Sequence, residues 1–420
     1  MTATAAAALP KLSGFSFQGL CNLAWSSSTL AADGPLWDAL WKRLQDMDLQ
    51  ASELQLNQVT TLAASFSTMS RHPPPLVAAW VEGALEKLQA DVDDVGVEMI
   101  LRSVYVLNSH ALLSERILGF ARALLQSVAV KKEATESRDH GSLGLGAGNV
   151  AGRPFKEQPH VVTESQELCF LWKPKGWSMT VGKDREGAGS VEQGQLLSEW
   201  LQDHLGDDFP VARDADAQHG LLHRLDRDTS GLVAFAKTYQ AYYEGRLQFS
   251  LQRVVKRYVC VCVGHVPMDL MERFITTPLR IQAGDGPKRS VPAGEGVAFG
   301  LPSKTLVLDV SHFVGPDGAN LSLVEVELYS GRLHQIRAHL SSEGFPLLGD
   351  WLYGEGNVPW CSRIFLHAAF LSLRVGSTLA QECPLPADLQ SALREMKPLS
   401  SRARVAQEKW LGKRRMMGPA

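Results

Sequence analysis

Through residues 15 to 130, Leu, Ala and Trp recur every three or four positions, the spacing of one face of an α-helix. Two stretches resemble each other, FQGLCNLAWSSSTL (17–30) and LNQVTTLAASFSTM (56–69). Leu20, Leu23, Ala24, Thr29 and Leu30 match Val59, Leu62, Ala63, Thr68 and Met69, a shift of 39 positions (59 − 20). A more diverged copy is EMILRSVYVLNSHAL (98–112). Between copies lie amphipathic stretches, PLWDALWKRLQDM and PLVAAWVEGALEKLQ, which read as the partner helix of each pair. A helix pair repeated at this period predicts a short α-solenoid over residues 1–130, because each unit buries its face only against a neighbour. Trp25, Trp37, Trp41 and Trp80 fall at helical spacing and are expected to pack within and between repeats.

The pattern breaks at KKEATESRDHGSLGLGAGNVAGRPFKEQP, where charge, Ser and Gly leave no apolar period. Residues 131–159 are expected to form a flexible linker, so that the domains on either side fold independently. From Val161 the chain turns to short runs of Val, Leu, Phe and Tyr punctuated by Gly and Pro. ELCFLWKP, GLVAFAK, KRYVCVCVG, TLVLDVSHF and LVEVELY are predicted strands, and TYQAYYEGRLQFSLQ and LHQIRAHLSSEG predicted helices. Strands and helices mixed without strict alternation predict an α+β domain over 160–395. Residues 396–420 carry Lys397, Arg402, Arg404, Lys409, Lys413, Arg414 and Arg415 against Glu408 alone, and read as a mobile basic tail with Trp410 free to stack.

A net charge of -3 gives no global sign of a nucleic-acid partner, so any RNA surface must be local. No apolar run reaches the roughly 18 to 20 residues that span a bilayer, and no membrane segment is expected. Six cysteines are sparse for the length of 420 residues and imply free thiols. The opening MTATAAAALPKLSGF is Ala-rich and acid-free but has no Arg and a single Lys, so a transit peptide is weakly supported. The chain may be internal to a longer protein.

The segment HRLDRDTSGLVAFAK (223–237) carries the chemistry. Leu221 and Leu222 read as a short strand running into a charged Thr-Ser-Gly turn, which leaves again as a strand and exposes Asp226 at its tip. Arg224 and Arg227 flank Asp226 and favour its ionised form. A carboxylate so placed is either a structural ion pair or a nucleophile, and the residues alone favour the ion pair.

HRLDRDTSG then resembles, position for position, the signature of RluA-like RNA pseudouridine synthases. WKPKGW (172–177), KRYVCVCVG (256–264), SGRLHQIRAHLSSEGFPLLGDWLYG (330–354) and RIFLHAAFLSL (363–373) are similar to four further segments of that family, in its order. The resemblance implies a pseudouridine synthase mixed-sheet catalytic domain that isomerises uridine to pseudouridine in RNA. It implies Asp226 as nucleophile, Arg337 as its ionic partner, and Tyr258 stacking on the target base and assisting proton transfer. His223, Arg224, Thr229, His334 and Gln335 are implied at the substrate, with Arg224 filling the space that the flipped uridine vacates. His334 and Arg337 are three apart on a predicted helix and share a face. Met179 and Thr180 stand where the family often has Val-His, and Leu333 where it usually has Thr.

This chemistry implies no cofactor and no metal. Cys260, Cys262 and His265 form a C-x-C-x-x-H cluster, but the two cysteines share a strand face as small core residues and lack a fourth ligand. The expected partner is RNA, whether rRNA, tRNA or mRNA, with protein partners conceivable through the helical repeats. Those repeats resemble octotricopeptide and FAST-kinase-type repeats, which would go with a mitochondrial or chloroplast home. The rival readings are a non-catalytic RNA-binding protein on a synthase-like domain, and a scaffold whose repeats recruit partners.

Overall fold

The computed structural model describes residues 8–29, 34–47, 49, 53–69, 71–88, 92–139, 157–179, 195–282, 287–293 and 300–412. Six helices come first: α1 (Phe17–Thr29), α2 (Pro35–Gln45), α3 (Leu56–Thr68), α4 (Pro75–Lys87), α5 (Asp94–Ser109) and α6 (Glu115–Asp139). Pro35 and Pro75 begin α2 and α4, where a missing N–H costs nothing, and the Asp93 carboxylate caps α5 by accepting from Gly96 N at 2.7 Å. The odd-numbered helices stack side by side, α1 on α3 on α5, and α4 and α6 back onto them. At the centre, the buried hydroxyls of Thr60 and Ser103 join α3 to α5 at 2.6 Å. Trp37 and Trp41 meet Phe66 edge-on at 5.4 and 5.5 Å, as core residues of this stack. Trp25 departs from that expectation: 39% exposed, it faces outward with the Arg102 guanidinium 5.2 Å from its ring centre. No helix among the described residues is long and apolar enough to cross a membrane.

The second part is a mixed sheet with helices on both faces. Its elements are β1 (His160–Glu164), β2 (Leu168–Lys173), α7 (Leu197–Leu205), β3 (Ser230–Ala236), α8 (Tyr239–Ser250), β4 (Val255–Val263), β5 (Phe274–Ile275), β6 (Leu279–Gln282), β7 (Arg289–Pro292), β8 (Thr305–Val314), β9 (Asn320–Leu328), α9 (Gln335–Ser342), β10 (Leu366–Val375), β11 (Ser377–Glu382), α10 (Ala387–Glu395), β12 (Lys397–Pro398) and α11 (Ser401–Trp410). The strand order is β1-β2-β3-β10-β4-β9-β8-β12, with β11 beside β10, β5 beside β8, and β6 and β7 a separate hairpin. β3 and β10 run parallel, and the other pairs are antiparallel. The period of two is plain on β4: Tyr258, Cys260 and Cys262 enter the core shared with α8, while Val259 and Val261 enter the opposite core beneath α10 and α11. Cys260 donates to Val324 O, and the His265 ring stacks on His312 at 4.7 Å.

Three expectations about boundaries need correction. Residues 131–139 continue α6 rather than starting a linker, and Lys132 on that helix pairs with Asp214 of the sheet domain at 2.9 Å; residues 140–156 lie outside the described set. The helical region also packs on α8: Asn108 donates to Leu251 O, Arg246 binds Glu98, and the Arg332 guanidinium donates to the Tyr105 hydroxyl. The two parts share one apolar core, so the picture of separately folding domains does not hold. The basic tail, finally, is a packed helix through Trp410. Ser400 caps it, Trp410 is 2% exposed, and Lys409 and the Trp410 indole both donate to the Glu325 carboxylate. Lys413, Arg414 and Arg415 lie outside the described residues.

Candidate active site

Asp226 sits in a turn between Leu222 and β3. Leu221 and Leu222 do not form the strand their composition predicts; a single bridge joins Leu221 to Phe235, and Leu222 N donates to Ala234 O. The turn closes when Thr229 N donates to Asp226 O at 3.1 Å. Beneath it lies Lys173, the last residue of β2 and 0% exposed, whose ammonium donates to the carbonyls of Pro174, Asp226, Arg227 and Thr229 at 2.7 to 3.1 Å. Burial pulls the Lys173 pKa down to about 7, with the carboxylates of Asp226 and Asp228 working against that fall. Arg363 fixes the far side of the turn, donating to Asp228 O at 3.0 Å and to Ser230 Oγ at 2.9 Å. Gly231 is required where the turn becomes β3: its φ is +128°, and a Cβ there would lie 2.2 Å from Ala368 O on β10.

The Asp226 carboxylate points into a cavity of about 710 Å³. Arg337 Nη1 lies 3.8 Å from Asp226 Oδ2 and His334 Nε2 lies 3.9 Å from it, so both face the carboxylate without hydrogen-bonding it. Arg337 makes its hydrogen bonds elsewhere, donating from Nε and Nη2 to the buried Asp350 carboxylate at 2.8 and 2.7 Å. The expected pairing of Arg337 with Asp226 is present as an ion pair at 3.8 Å, and Asp350 takes the guanidinium's hydrogen bonds. Burial works against the Arg337 charge, and the Asp350 hydrogen bonds outweigh it, holding the guanidinium pKa above its usual value. Burial lowers the His334 pKa, against the pull of Asp226, which leaves the imidazole neutral at pH 7. His334 is not on the helix: with φ +50° it stands just before α9, and its ring meets Tyr353 edge-on at 5.8 Å. Tyr258, on the neighbouring β4, lines the same cavity; burial and then the Asp226 charge push its hydroxyl pKa up, so it stays protonated.

The remaining expected substrate residues divide. Arg224 is exposed at the cavity rim. Gln335 is buried, with its amide saturated by Ser330, Arg332, Lys304 and Thr305. It has no capacity left for a substrate and instead braces the loop before α9. His223 is likewise a brace: its Nε2 accepts from Ala234 N at 3.0 Å, and burial drives its pKa down to about 3. Thr229 is buried in the turn, its carbonyl held by Lys173. Lys173 and Asp350 fall within segments that carry the family resemblance, WKPKGW and SGRLHQIRAHLSSEGFPLLGDWLYG, but residue type alone assigns neither a role. The signal for Lys173 was an isolated lysine closing the apolar run LCFLW.

The far wall of the cavity comes from the helical region, where Glu98, Met99, Arg102 and Tyr105 of α5 face the catalytic turn. Nothing in the sequence pointed to this juxtaposition.

In comparisons with known proteins, the profile of RNA pseudouridylate synthase matches residues 167–342. An uncharacterized RNA pseudouridine synthase of Chloroflexus aurantiacus is 36% identical over 195 residues, 46% of this chain and 58% of that protein. The chain thus spans a little over half the length of that relative. Ribosomal large subunit pseudouridine synthase D of Nitrosomonas europaea is 31% identical over 60% of this chain and 71% of its own length. The dual-specificity RNA pseudouridine synthase RluA of Vibrio vulnificus is 33% identical over 52% of this chain and 79% of its own length.

Proposed function

The chain belongs to the RNA pseudouridine synthase family, and from that premise we propose that it isomerises uridine to pseudouridine in RNA with Asp226 as nucleophile. One observation carries the reading: a carboxylate with no hydrogen bond among the described residues stands in a cavity, between a guanidinium, an imidazole and a tyrosine. A carboxylate tied up by hydrogen bonds would be a poor nucleophile, and Asp226 is not tied up in that way among the described residues. Arg337 supplies positive charge at 3.8 Å, and Asp350 keeps that guanidinium from closing onto the carboxylate.

In the reaction the N1–C1′ bond of uridine breaks, the base turns within the cavity, and C5 bonds to C1′. The C5 hydrogen leaves as a proton, and N1 finishes with a hydrogen. Asp226 attacks C1′ of the ribose as the base departs and is displaced again when C5 bonds to C1′, and the turn held by Lys173 and Arg363 keeps the carboxylate in place throughout. Tyr258 offers a ring face to the base and a protonated hydroxyl for proton transfer.

The test follows from the hydrogen balance. RNA transcribed with uridine tritiated at C5 should release tritium to water on incubation with the protein, in step with pseudouridine recovered from the digested RNA. Absence of release across transcripts of rRNA, tRNA and mRNA type would overturn the proposal.

A further inference from the structure

The cavity wall opposite Asp226 carries a concentration of positive charge that the chemistry at Asp226 does not use. Arg102 comes from α5 of the helical region, Lys256 from β4, and Arg332 from the loop before α9, and all three line the same cavity as the nucleophile. The Arg332 guanidinium lies 5.1 Å from the Tyr105 ring centre and donates to its hydroxyl at 2.6 Å. The Arg102 guanidinium lies over the Trp25 ring, 5.2 Å from its centre. Among the described residues no carboxylate pairs with Arg102 or Lys256; the nearby Glu98 is engaged by Arg246 at 2.8 Å.

Like charges held together destabilise one another. Burial and then the Arg332 charge lower the Arg102 pKa, and the same two causes, opposed by the Glu327 carboxylate, pull Lys256 down to about 8. Such a cluster is stabilised by an anion, and the anion that accompanies a uridine in RNA is its own backbone. A phosphodiester presents oxygens that suit guanidinium forks and an ammonium alike.

We infer that Arg102, brought to the cavity by the helical region, joins Arg332 and Lys256 in a phosphate-binding subsite for the RNA strand beside the target uridine. This rests on the reading of the site as an RNA pseudouridine synthase and adds to it a strand-binding element outside the sheet domain. Trp25, 39% exposed next to Arg102, offers an aromatic face where the following base can stack. The helical region is then part of the RNA cleft itself.

The probe is a short fluorescein-labelled oligouridylate, with its affinity for the full chain measured at several salt concentrations. Each phosphate contact on a single strand contributes about 0.7 to the slope of log affinity against log salt. Arg102→Gln should weaken binding several-fold at low salt and flatten that slope by about 0.7. Arg102→Lys, which keeps the charge, should keep the wild-type slope. Arg116→Gln, at a cation paired with Glu82 and Glu86, should change neither quantity. Should the Gln variant melt early, Arg102→Met serves as the second neutral variant.

An unchanged slope in both neutral variants would overturn the subsite, as would wild-type protein that fails to bind the oligouridylate at low salt. Loss of slope in Arg102→Lys equal to that in Arg102→Gln would assign the effect to packing and likewise overturn it. The function itself is judged separately, by tritium release from wild type. A flattened slope without release would leave the subsite standing and remove the synthase reading.

Discussion

Arg337 binds Asp350 through two parallel hydrogen bonds of 2.8 and 2.7 Å and approaches Asp226 only to 3.8 Å. Asp350 is fully buried and also accepts from the backbone N–H groups of Leu352 and Tyr353, so it is rigid on its own account. The guanidinium is therefore aimed from behind. Replacing Asp350 by Ala should leave a buried cation unpaired, which costs about 3 to 5 kcal/mol of stability. Turnover should fall together with the melting temperature, because Arg337 would lose the two hydrogen bonds that hold it facing Asp226. Thermal melts and tritium release on one preparation check both halves; an active variant with wild-type melting would refute the arrangement.

Asp226→Asn should reduce turnover by at least about a thousandfold. The amide keeps the shape of the turn, so oligouridylate affinity should stay near the wild-type value. Tyr258→Phe retains the ring and removes the proton donor, so the single-turnover rate should fall about a hundredfold or more with affinity preserved. Equal loss of rate and affinity in Tyr258→Phe would mean that the hydroxyl binds rather than reacts.

Because α5 and α6 share a core with α8, the chain should unfold in urea as one unit. Trp37 and Trp80 report on the helical region and Trp172 and Trp410 on the sheet domain, so fluorescence samples both sides. Fluorescence and far-ultraviolet circular dichroism should give coincident midpoints. Two separated transitions would restore the picture of independent domains.

Asp388 gives a pH dependence of known sign. Burial pushes its carboxyl pKa up, but hydrogen bonds and charges from Arg363 and Lys175 outweigh burial and bring it to about 2, below the ordinary 3.8. A depressed carboxylate stabilises the fold above its unfolded pKa, and that contribution is lost as pH falls through about 2. Wild type should therefore lose melting temperature between pH 4 and 2 more steeply than Asp388→Asn. Parallel curves for the two proteins would show that the Arg363–Asp388 pair contributes nothing in acid.

The catalytic turn was legible because its residues are constrained by chemistry and by backbone at once. HRLDRDTSG sets Asp226 at the cavity, uses Thr229 to close the turn, and needs Gly231 for the close approach of β10. Strands β2, β3 and β4 were legible from their apolar runs. The tail was not, because its cations masked Ala403, Ala406 and Trp410, which stand three and four apart and form the buried stripe of α11. The bracing roles of Lys173 and Gln335 are hidden in the sequence for a related reason. Residue type gives polarity, whereas their role depends on carbonyls and amides brought near by other strands. The contact of α5 with the cavity was beyond reach, since one amphipathic face does not say which surface will cover it.

The position of β10 has a consequence for how the protein is made. It lies in the middle of the sheet, between β3 and β4, yet it is drawn from residues 366–375, after nearly all the site residues have been synthesised. On the ribosome, β3 and β4 must wait as two unsatisfied edges until Leu366–Val375 clears the exit tunnel. Gly231 stays without the partner that its close approach serves, and Arg363 cannot reach Asp228 until the same moment. A nascent chain halted between α9 and β10 would carry Asp226, Tyr258 and Arg337 and still lack the strand that joins β3 to β4, so the two halves of the cavity wall would have no common sheet to hold them.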